Sequence, residues 1–436
     1  MRYSIKEEFQ RKIVSAEEAV QCVKSGQTVY IGTCTSTAYE LARALGQRAD
    51  ELSDITIGCS NILKPLEIFE RPDTFHCISY FMGPTERRAM KDGNVDFTSL
   101  HLSRIDVFCK QTCPPDVAFI EVSLPDEDGN MSFGAAGVAL HQFIVDEATT
   151  VILQINKYVP YVFGEHNRIN ISECDIAIRY DEELGQIPEL PLTPEVDAIT
   201  DYIVDEIPDG ACLQLGIGAI GNAVGYKLLH KNDLGIHTEL MTDSLADLIK
   251  NGNVTNKMKG FMPGKSLAAF TLGTSELYRF LDHNENMYYM PFTVVNDSTL
   301  IAANENMISV NSAIVIDLLG QVDAENIAGR QYSGVGGQLD FVRGAQMAKG
   351  GKSFICATST NTNKKTGKKN SRIVSTLPRG TAITTPRSDV QYVATEYGCV
   401  NLKPLTMRER AHALISLAHP DFRPQLIEDA KDIGIY

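Results

Sequence analysis

Short apolar runs alternate with longer amphipathic stretches along the chain. In one series, the apolar run at residues 213–215 leads into a glycine-rich turn at 216–221, and a stretch with helical character follows at 222–230. A second short strand, 235–240, then carries Glu239 near its end. This order predicts a turn suited to phosphate groups and a carboxylate at neighbouring strand ends, where open α/β sheets bind ligands.

The same series occurs twice in the sequence. Residues 19–32 resemble residues 203–216, because each reads as a helix end, a tight turn at a glycine and an apolar strand that ends on glycine. Further matching pairs, first copy against second, are 38–45 with 222–229, 55–58 with 235–238, 116–122 with 312–318, and 149–155 with 352–357. We therefore predict an α/β fold of two similar domains with mostly parallel sheets and flanking helices, which arose by internal duplication.

Prolines mark the predicted boundary between the two copies. Pro188, Pro191 and Pro194 would break a helix or a central strand, so they indicate a linker. A chain of 436 residues is also too long for one ordinary core and suits two domains. The predicted division is an N-terminal domain at 1–186, a proline-rich linker at 187–196 and a C-terminal domain at 197–436.

Composition narrows the class of protein. The net charge of −15 argues against general binding to nucleic acid, which needs basic surface. The ten cysteines form no CxxC pair, which favours reduced, buried thiols over a disulfide framework or a metal site. The N-terminus is charged, and no apolar run reaches the roughly 18 residues of a membrane-spanning helix. We therefore expect a cytoplasmic protein with no metal and no membrane partner.

Two further segments could carry chemistry. Glycines 334, 336 and 337 would let the backbone approach a ligand and point N–H groups at it, as in an oxyanion hole or a phosphate nest. An ordinary flexible turn is the alternative. The lysine-rich run at 364–369 is either a solvated loop or a clamp for a polyanion.

A carboxylate is the expected reactive group. The sequence contains no G-x-S-x-G, HExxH or Walker A motif, and aligned copies place Gly58 opposite Glu239, which predicts one site per chain. The turn at 216–221 also fits G-x-G-x-x-G, with Glu239 near the distance of a ribose-binding acid. An NAD-dependent oxidoreductase is therefore an alternative, and so is a purely structural turn that lets a helix pack closely.

Taken together, the ordered segments resemble the family I CoA-transferases of the acetyl-CoA hydrolase/transferase group, over nearly the whole chain. The segments that carry the resemblance are 215–221, 235–239, 333–344, 394–398 and 411–423. The resemblance implies an enzyme that moves CoA between acetyl-CoA and a short-chain carboxylate such as butyrate or 4-hydroxybutyrate. It also implies a homodimer or a larger homo-oligomer.

The same resemblance implies roles for individual residues. Glu239 would be the nucleophile that becomes a glutamyl-CoA thioester, and at an ordinary glutamate pKa of about 4.3 it would be ionised at pH 7. Asn296 would lie near the reacting carbonyl, Glu396 would tune the nucleophile, and Gly337, next to Gly336, would donate its backbone N–H to the oxyanion. The residues implied to bind CoA are Gly216, Ile217, Gly218, Ala219, Ile220, Ile314, Gly336, Gly337 and, through a phosphate, Lys364.

Several points stay open at the level of sequence. Water in place of a carboxylate would make the protein an acyl-CoA hydrolase, and a non-catalytic CoA sensor is a more remote alternative. We expect CoA thioester as a substrate and no tightly bound cofactor. The pocket for the carboxylate is expected in the first domain, near 32–37 or 60–62, and nothing there selects one acid.

Overall fold

The computed structural model describes residues 4–187, 191–363 and 365–436. Its contacts divide the chain into two compact units. One unit comprises Met1–Pro188 and Leu267–Val295, and the other comprises Glu189–Ser266 and Asn296–Tyr436.

The strands, in chain order, are β1 (Thr28–Thr33), β2 (Ile55–Ser60), β3 (Phe75–Ser79), β4 (Val95–Phe97), β5 (Val117–Val122), β6 (Asn130–Ser132), β7 (Thr150–Ile155), β8 (Arg168–Asn170), β9 (Ile176–Arg179), β10 (Cys212–Leu215), β11 (Gly235–Met241), β12 (Ser266–Thr271), β13 (Met287–Tyr289), β14 (Met307–Ser312), β15 (Val315–Asp317), β16 (Val322–Asp323), β17 (Asn326–Ile327), β18 (Arg330–Gln331), β19 (Lys352–Cys356), β20 (Thr360–Thr362), β21 (Lys369–Ser371), β22 (Ile373–Val374), β23 (Tyr392–Thr395) and β24 (Gly398–Asn401).

The α-helices are α1 (Ile5–Lys12), α2 (Ala16–Ala19), α3 (Tyr39–Gly46), α4 (Pro84–Lys91), α5 (Ile105–Val107), α6 (Gly134–Gly137), α7 (His141–Glu147), α8 (Pro194–Asp205), α9 (Ala219–Lys227), α10 (Asp243–Lys250), α11 (Ser275–Leu281), α12 (Phe292–Val295), α13 (Ser298–Ala302), α14 (Gln338–Met347), α15 (Met407–Leu417) and α16 (Arg423–Asp432). In the described part of the chain, every helix falls short of the length and hydrophobicity needed to cross a membrane.

The first unit is built on a seven-stranded sheet in the order β4-β3-β2-β1-β5-β7-β9, with every neighbouring pair parallel. Apolar residues of α3, such as Leu41 and Leu45, pack with the sheet residues Ile31 and Ile57 into one fully buried cluster. Each such side chain contributes roughly 1.5–3 kcal/mol by leaving water.

The second unit uses strands in the order β11-β10-β14-β19-β23-β24. These pairs are parallel except for the last, β23 with β24, which is antiparallel. Leu339 and Val342 of α14 share a buried cluster with Ile355 of β19 and Leu414 of α15. The predicted fold class, α/β with two similar, mostly parallel units and flanking helices, is therefore confirmed.

Strand order also tests the alignment of the two copies. The series β2-β1-β5-β7-β9 of the first unit matches β11-β10-β14-β19-β23 of the second. The predicted pairs for β1, β2 and β7 agree with this order, but the match of 116–122 with 312–318 was wrong. The counterpart of β5 is β14, which ends at Ser312, whereas β15 pairs with β16 and β22 in a separate sheet. Both segments are short apolar runs, so periodicity alone could not separate them.

The unit boundaries differ from the predicted domain division in one segment. Residues 267–295, which the sequence-based division gave to the second domain, bind to the first unit through backbone hydrogen bonds. His283 N–H donates to Tyr161, Tyr289 N–H to Phe163 and Phe292 N–H to Ala139. These long-range contacts leave no signal in the local pattern.

Part of the predicted linker is helical. Residues 188–190 lie outside the described residues, and α8 begins at Pro194 with the Thr193 side chain as its N-terminal cap. Proline suits this first helical position, because the missing N–H would have no partner there. The predicted linker at 187–196 thus overlaps the first turn of α8.

Candidate active site

Several residues that the sequence analysis selected lie at the carboxyl ends of the parallel strands in the second unit. Gly216 follows β10, Glu239 lies in the last part of β11, Ile314 follows β14, and Glu396 follows β23. Neighbouring parallel strands end at the same sheet edge, and this edge is the usual position of ligand sites in such sheets.

Glu239 is held by two donors. The side-chain Nδ2 of Asn296 donates to Oε2 of Glu239 over 2.7 Å, and the backbone of Gly337 also hydrogen-bonds to the carboxylate. Glu239 is partly exposed, whereas Asn296 is fully buried. The structure thus brings three of the predicted catalytic residues into contact, with one carboxylate oxygen of Glu239 fixed by hydrogen bonds.

Two short helices place these donors. Asn296 precedes Asp297, whose side chain caps α13 by accepting from the N–H groups of Thr299 and Leu300. Gly337 is the N-terminal residue that flanks α14. The hydroxyl of Ser298 donates to the carbonyl oxygen of Asp340 over 2.9 Å, which ties the first turns of the two helices together.

Only glycine fits at position 337. A Cβ there would overlap Oε2 of Glu239 and Nδ2 of Asn296. The preceding Gly336 has φ of +64°, a left-handed conformation that other residues adopt at a cost. The glycines at 336 and 337 therefore let the backbone reach the carboxylate of Glu239, and the oxyanion role of Gly337 stays a prediction.

Burial changes the acidity of Glu239. Loss of hydration raises the pKa of Glu239 from an ordinary 4.5 to about 7, and the charge of Asp340 adds to this rise, while the bonds from Asn296 and Gly337 oppose it. The ordinary pKa expected from sequence does not hold, since the carboxyl group is only about half ionised at pH 7.

Asp340 is a residue that sequence reasoning missed. It lies in the first turn of α14, three positions after Gly337, and is 8% exposed. A carboxylate at the start of a helix is common, because it complements the helix dipole, so its type gave no sign of a role. Its place in the chain next to the glycine cluster was the one available signal.

The glycine turn after β10 has two structural roles. A Cβ at Gly221 would overlap the carbonyl oxygen of Gly216, whereas a Cβ at Gly218, where φ is +117°, would meet no atom within 4 Å. Gly221 therefore permits close packing of α9, and Gly218 leaves open space at the start of that helix. Ile217 beside it is 53% exposed.

Two other predicted residues lie at the same edge and have hydrogen-bond partners other than Glu239. Glu396 accepts from the backbone N–H of Ser359 over 2.8 Å and from its hydroxyl over 2.5 Å. The carbonyl oxygen of Ile314 accepts from Nη1 of Arg372 over 3.1 Å. The tuning role predicted for Glu396 stays a prediction, and Lys364 lies outside the described residues.

The described residues contain no group of three or more His, Cys, Asp or Glu side chains that could hold a metal ion. All ten cysteines are free, and all except Cys22 and Cys399 are buried.

The chain is similar to CoA-transferases over nearly its whole length. The chain is 39% identical to the butyryl-CoA:acetate CoA-transferase of Anaerostipes caccae, over 99% of each chain. It is 37% identical to the 4-hydroxybutyrate coenzyme A transferase of Clostridium kluyveri, over 97% of this chain and 98% of that one.

Solved structures give the same result. The crystal structure of RipA from Yersinia pestis matches with a TM-score of 0.93 at 35% identity, covering 100% of both chains. The 4-hydroxybutyrate CoA-transferase from Porphyromonas gingivalis matches with a TM-score of 0.80 at 32% identity, covering 99% of this chain and 100% of that one.

Two family models match the chain. The acetyl-CoA hydrolase/transferase N-terminal domain matches residues 1–206, and the C-terminal domain of the same family matches residues 273–430. The chain therefore belongs to the acetyl-CoA hydrolase/transferase family and is an enzyme of the CoA-transferase type.

Proposed function

We propose that this enzyme transfers CoA between acetyl-CoA and a short-chain carboxylate, butyrate or 4-hydroxybutyrate, through a covalent glutamyl-CoA thioester on Glu239. One observation carries the proposal: a partly exposed carboxylate whose Oε2 is bound by the Asn296 amide, with the Gly337 backbone as a second donor. The names of the relatives in Anaerostipes and Clostridium supply the two candidate acids.

In the first half of the reaction, an oxygen of the ionised Glu239 attacks the carbonyl carbon of acyl-CoA. The carbon–sulfur bond breaks, CoA leaves as a thiolate, and an acyl-glutamyl anhydride forms. The thiolate then attacks the glutamyl carbonyl carbon and displaces the donor acid as its carboxylate. CoA is left as a thioester on Glu239, and an incoming carboxylate reverses these steps, which gives ping-pong kinetics.

The two donors suit the second attack. When the thiolate adds to the glutamyl carbon, negative charge develops on an oxygen of that group. Oε2 already has the Asn296 amide within 2.7 Å and the Gly337 backbone beside it, so both can stabilise the oxyanion without rearrangement. A donor placed in this way contributes roughly 3–4 kcal/mol to the transition state.

We propose CoA thioester as a substrate, with no tightly bound cofactor, and features of the sheet edge leave room for it. The open space at Gly218 and the exposed side chain of Ile217 would let residues 216–220 border the CoA channel, together with Ile314. Lys364 and the exposed Lys365 would meet a phosphate. Binding energy from these remote groups can drive the reaction at Glu239.

The carboxylate pocket is proposed at the corresponding edge of the first unit. Thr35, Ser36, Thr37 and Ser60 are buried there, and Asn61 adopts a left-handed conformation with φ of +49°. Small residues with hydroxyl groups would suit a short acid. A homodimer or larger homo-oligomer and a cytoplasmic location are parts of the same proposal.

Hydrolysis is the second candidate, since it needs only water in place of the carboxylate. Acetyl-CoA hydrolases match at lower identity, as in the 24% match to the Neurospora crassa enzyme over 79% of this chain, so we rank it below transfer. We rank the oxidoreductase alternative last, because both family models and the full-length relatives belong to CoA hydrolases and CoA-transferases.

Three incubations separate these activities: butyryl-CoA alone, butyryl-CoA with acetate, and NADH with a keto acid. We expect acetyl-CoA to appear only in the second. Glu239→Gln should abolish this exchange, and Glu305→Gln, at an exposed carboxyl group paired with Lys349, is the matched control. Full exchange by Glu239→Gln, with deamidation excluded, would refute the proposal.

A further inference from the structure

His237 lies two residues before Glu239 on β11 and is fully buried. Side chains two apart on a strand point to the same face of the sheet. The ring of His237 therefore lies on the face where Glu239 meets Asn296 and Gly337, although the proposed chemistry does not use it.

The hydrogen bond to His237 has a defined direction. Nδ2 of Asn304 lies 3.0 Å from Nδ1 of His237. The other end of the same amide is fixed, because Oδ1 of Asn304 accepts from the backbone N–H of Phe261. Asn304 must then donate to His237, so Nδ1 is the acceptor and carries no proton.

Asn304 connects this bond to α13. Its Nδ2 also lies within 3.2 Å of the carbonyl oxygen of Ile301, at the end of that helix. Asn304 is fully buried. A buried amide with partners at both ends holds a single orientation, because each lost bond leaves an unsatisfied polar group at a cost of roughly 1–3 kcal/mol.

The ring of His237 also contacts α14. Its centroid lies 6.0 Å from that of Phe341 with an interplanar angle of 85°, an edge-to-face arrangement. Phe261 lies 5.9 Å away on centroids. One side chain on β11 therefore touches α14 directly and reaches α13 through Asn304.

The two donors to Glu239, Asn296 and Gly337, lie immediately before the first turns of these two helices. We propose that His237 is a positioning residue, which fixes α13 and α14 against β11 and so sets the distance from Asn296 and Gly337 to the Glu239 carboxylate. This inference rests on the proposed function, because it assumes that Glu239 reacts.

The test compares His237→Phe, which keeps a flat ring and removes the acceptor, with His237→Gln, which can still accept from Asn304. His230→Phe is the control, since His230 is exposed. For each variant we would measure kcat, the KM for acyl-CoA, the pH midpoint of kcat/KM and the melting temperature.

We expect His237→Phe to lower kcat roughly 10- to 100-fold, as small displacements at a reacting group do, with KM changed less than about twofold. The pH midpoint should move to higher pH, because the donors that favour the ionised carboxylate are weakened. His237→Gln should recover part of kcat. A purely structural role would lower stability and leave the midpoint in place, and that result would overturn the inference.

A double-mutant cycle keeps the test decisive if His237→Phe does not fold. His237→Gln should have a smaller effect on kcat in an Asn296→Ala background than in the wild type, and equal effects would contradict the inference. A wild-type enzyme that never forms the glutamyl-CoA thioester would instead refute the proposed function, so the two failures are distinguishable.

Discussion

Glu239 and Asn296 stand 57 positions apart in the sequence, and a hydrogen bond of 2.7 Å joins Nδ2 of Asn296 to Oε2 of Glu239. This bond stabilises the ionised carboxylate, while loss of hydration and the charge of Asp340 oppose ionisation. The balance leaves a carboxyl group that titrates near neutral pH, and the ionised form of such a weaker acid is a stronger nucleophile than an ordinary glutamate carboxylate. The first prediction follows from this balance.

The rate of acyl transfer should depend on pH with a midpoint near 7. Only the ionised Glu239 attacks, and its pKa is raised to about 7, so kcat/KM should rise with pH and reach a plateau above the midpoint. Initial rates at saturating acetate between pH 5 and 9 provide the measurement. A midpoint near 4.5 would mean that Glu239 is not buried in the active enzyme.

Gly337→Ala should lower kcat at least about 100-fold, because the added methyl group would overlap Oε2 of Glu239 and Nδ2 of Asn296 and displace both donors. Gly46→Ala serves as the control, since a Cβ at Gly46 meets its nearest neighbour at an ordinary 3.4 Å. Steady-state kinetics on both variants checks this. Wild-type turnover in Gly337→Ala would show that the close approach is unnecessary.

Glu239→Gln should make the protein more stable at alkaline pH. The folded carboxyl group has a pKa above its ordinary 4.5, so the folded state holds a proton that the unfolded state has lost between pH 4.5 and about 7. Stability therefore falls as pH rises through this window. The variant should gain roughly 1–3 kcal/mol at pH 8 and nothing near pH 4.

Thermal or urea unfolding at both pH values measures this gain. A gain of equal size at pH 4 and pH 8 would show that ionisation of Glu239 is not its source.

Removing charge from the lysine-rich hairpin should weaken acyl-CoA binding. Lys365 lies at the tip between β20 and β21 and is exposed. Lys364→Ala combined with Lys365→Ala should raise the KM for acyl-CoA severalfold and change kcat less, since phosphate contacts are made before and during the reaction. Lys349→Ala, at another exposed lysine, is the control. An unchanged KM for acyl-CoA would show that this hairpin is a solvated loop that does not bind the phosphates.

Local sequence predicted the scaffold well, because apolar strands that end on glycine or a carboxylate have a short-range signature. The strands β1, β10 and β11 and the turn at Gly216 were found in this way. The alignment of 116–122 with 312–318 was wrong because β14 and β15 are adjacent apolar runs with the same hydrophobic pattern, so the pattern could not show which of them corresponds to β5.

The local sequence pattern alone was not enough to predict the candidate site. Glu239 and Gly337 were singled out by their surroundings in the sequence, and Asn296 by family resemblance. Asp340, His237 and Asn304 gain their meaning only from contacts across β11, α13 and α14, which strand and helix periodicity does not encode. Position 337 must be glycine because there is no space for a Cβ beside Glu239, which lies almost a hundred positions earlier in the sequence.

The thioester on Glu239 gives the most direct test. The enzyme is mixed with butyryl-CoA without acceptor, treated with borohydride or hydroxylamine, digested and analysed by mass spectrometry. We predict that the peptide containing Glu239 is reduced to the alcohol or converted to the hydroxamate, only when acyl-CoA was present. An enzyme that exchanges CoA at full rate but leaves this peptide unmodified would contradict the account.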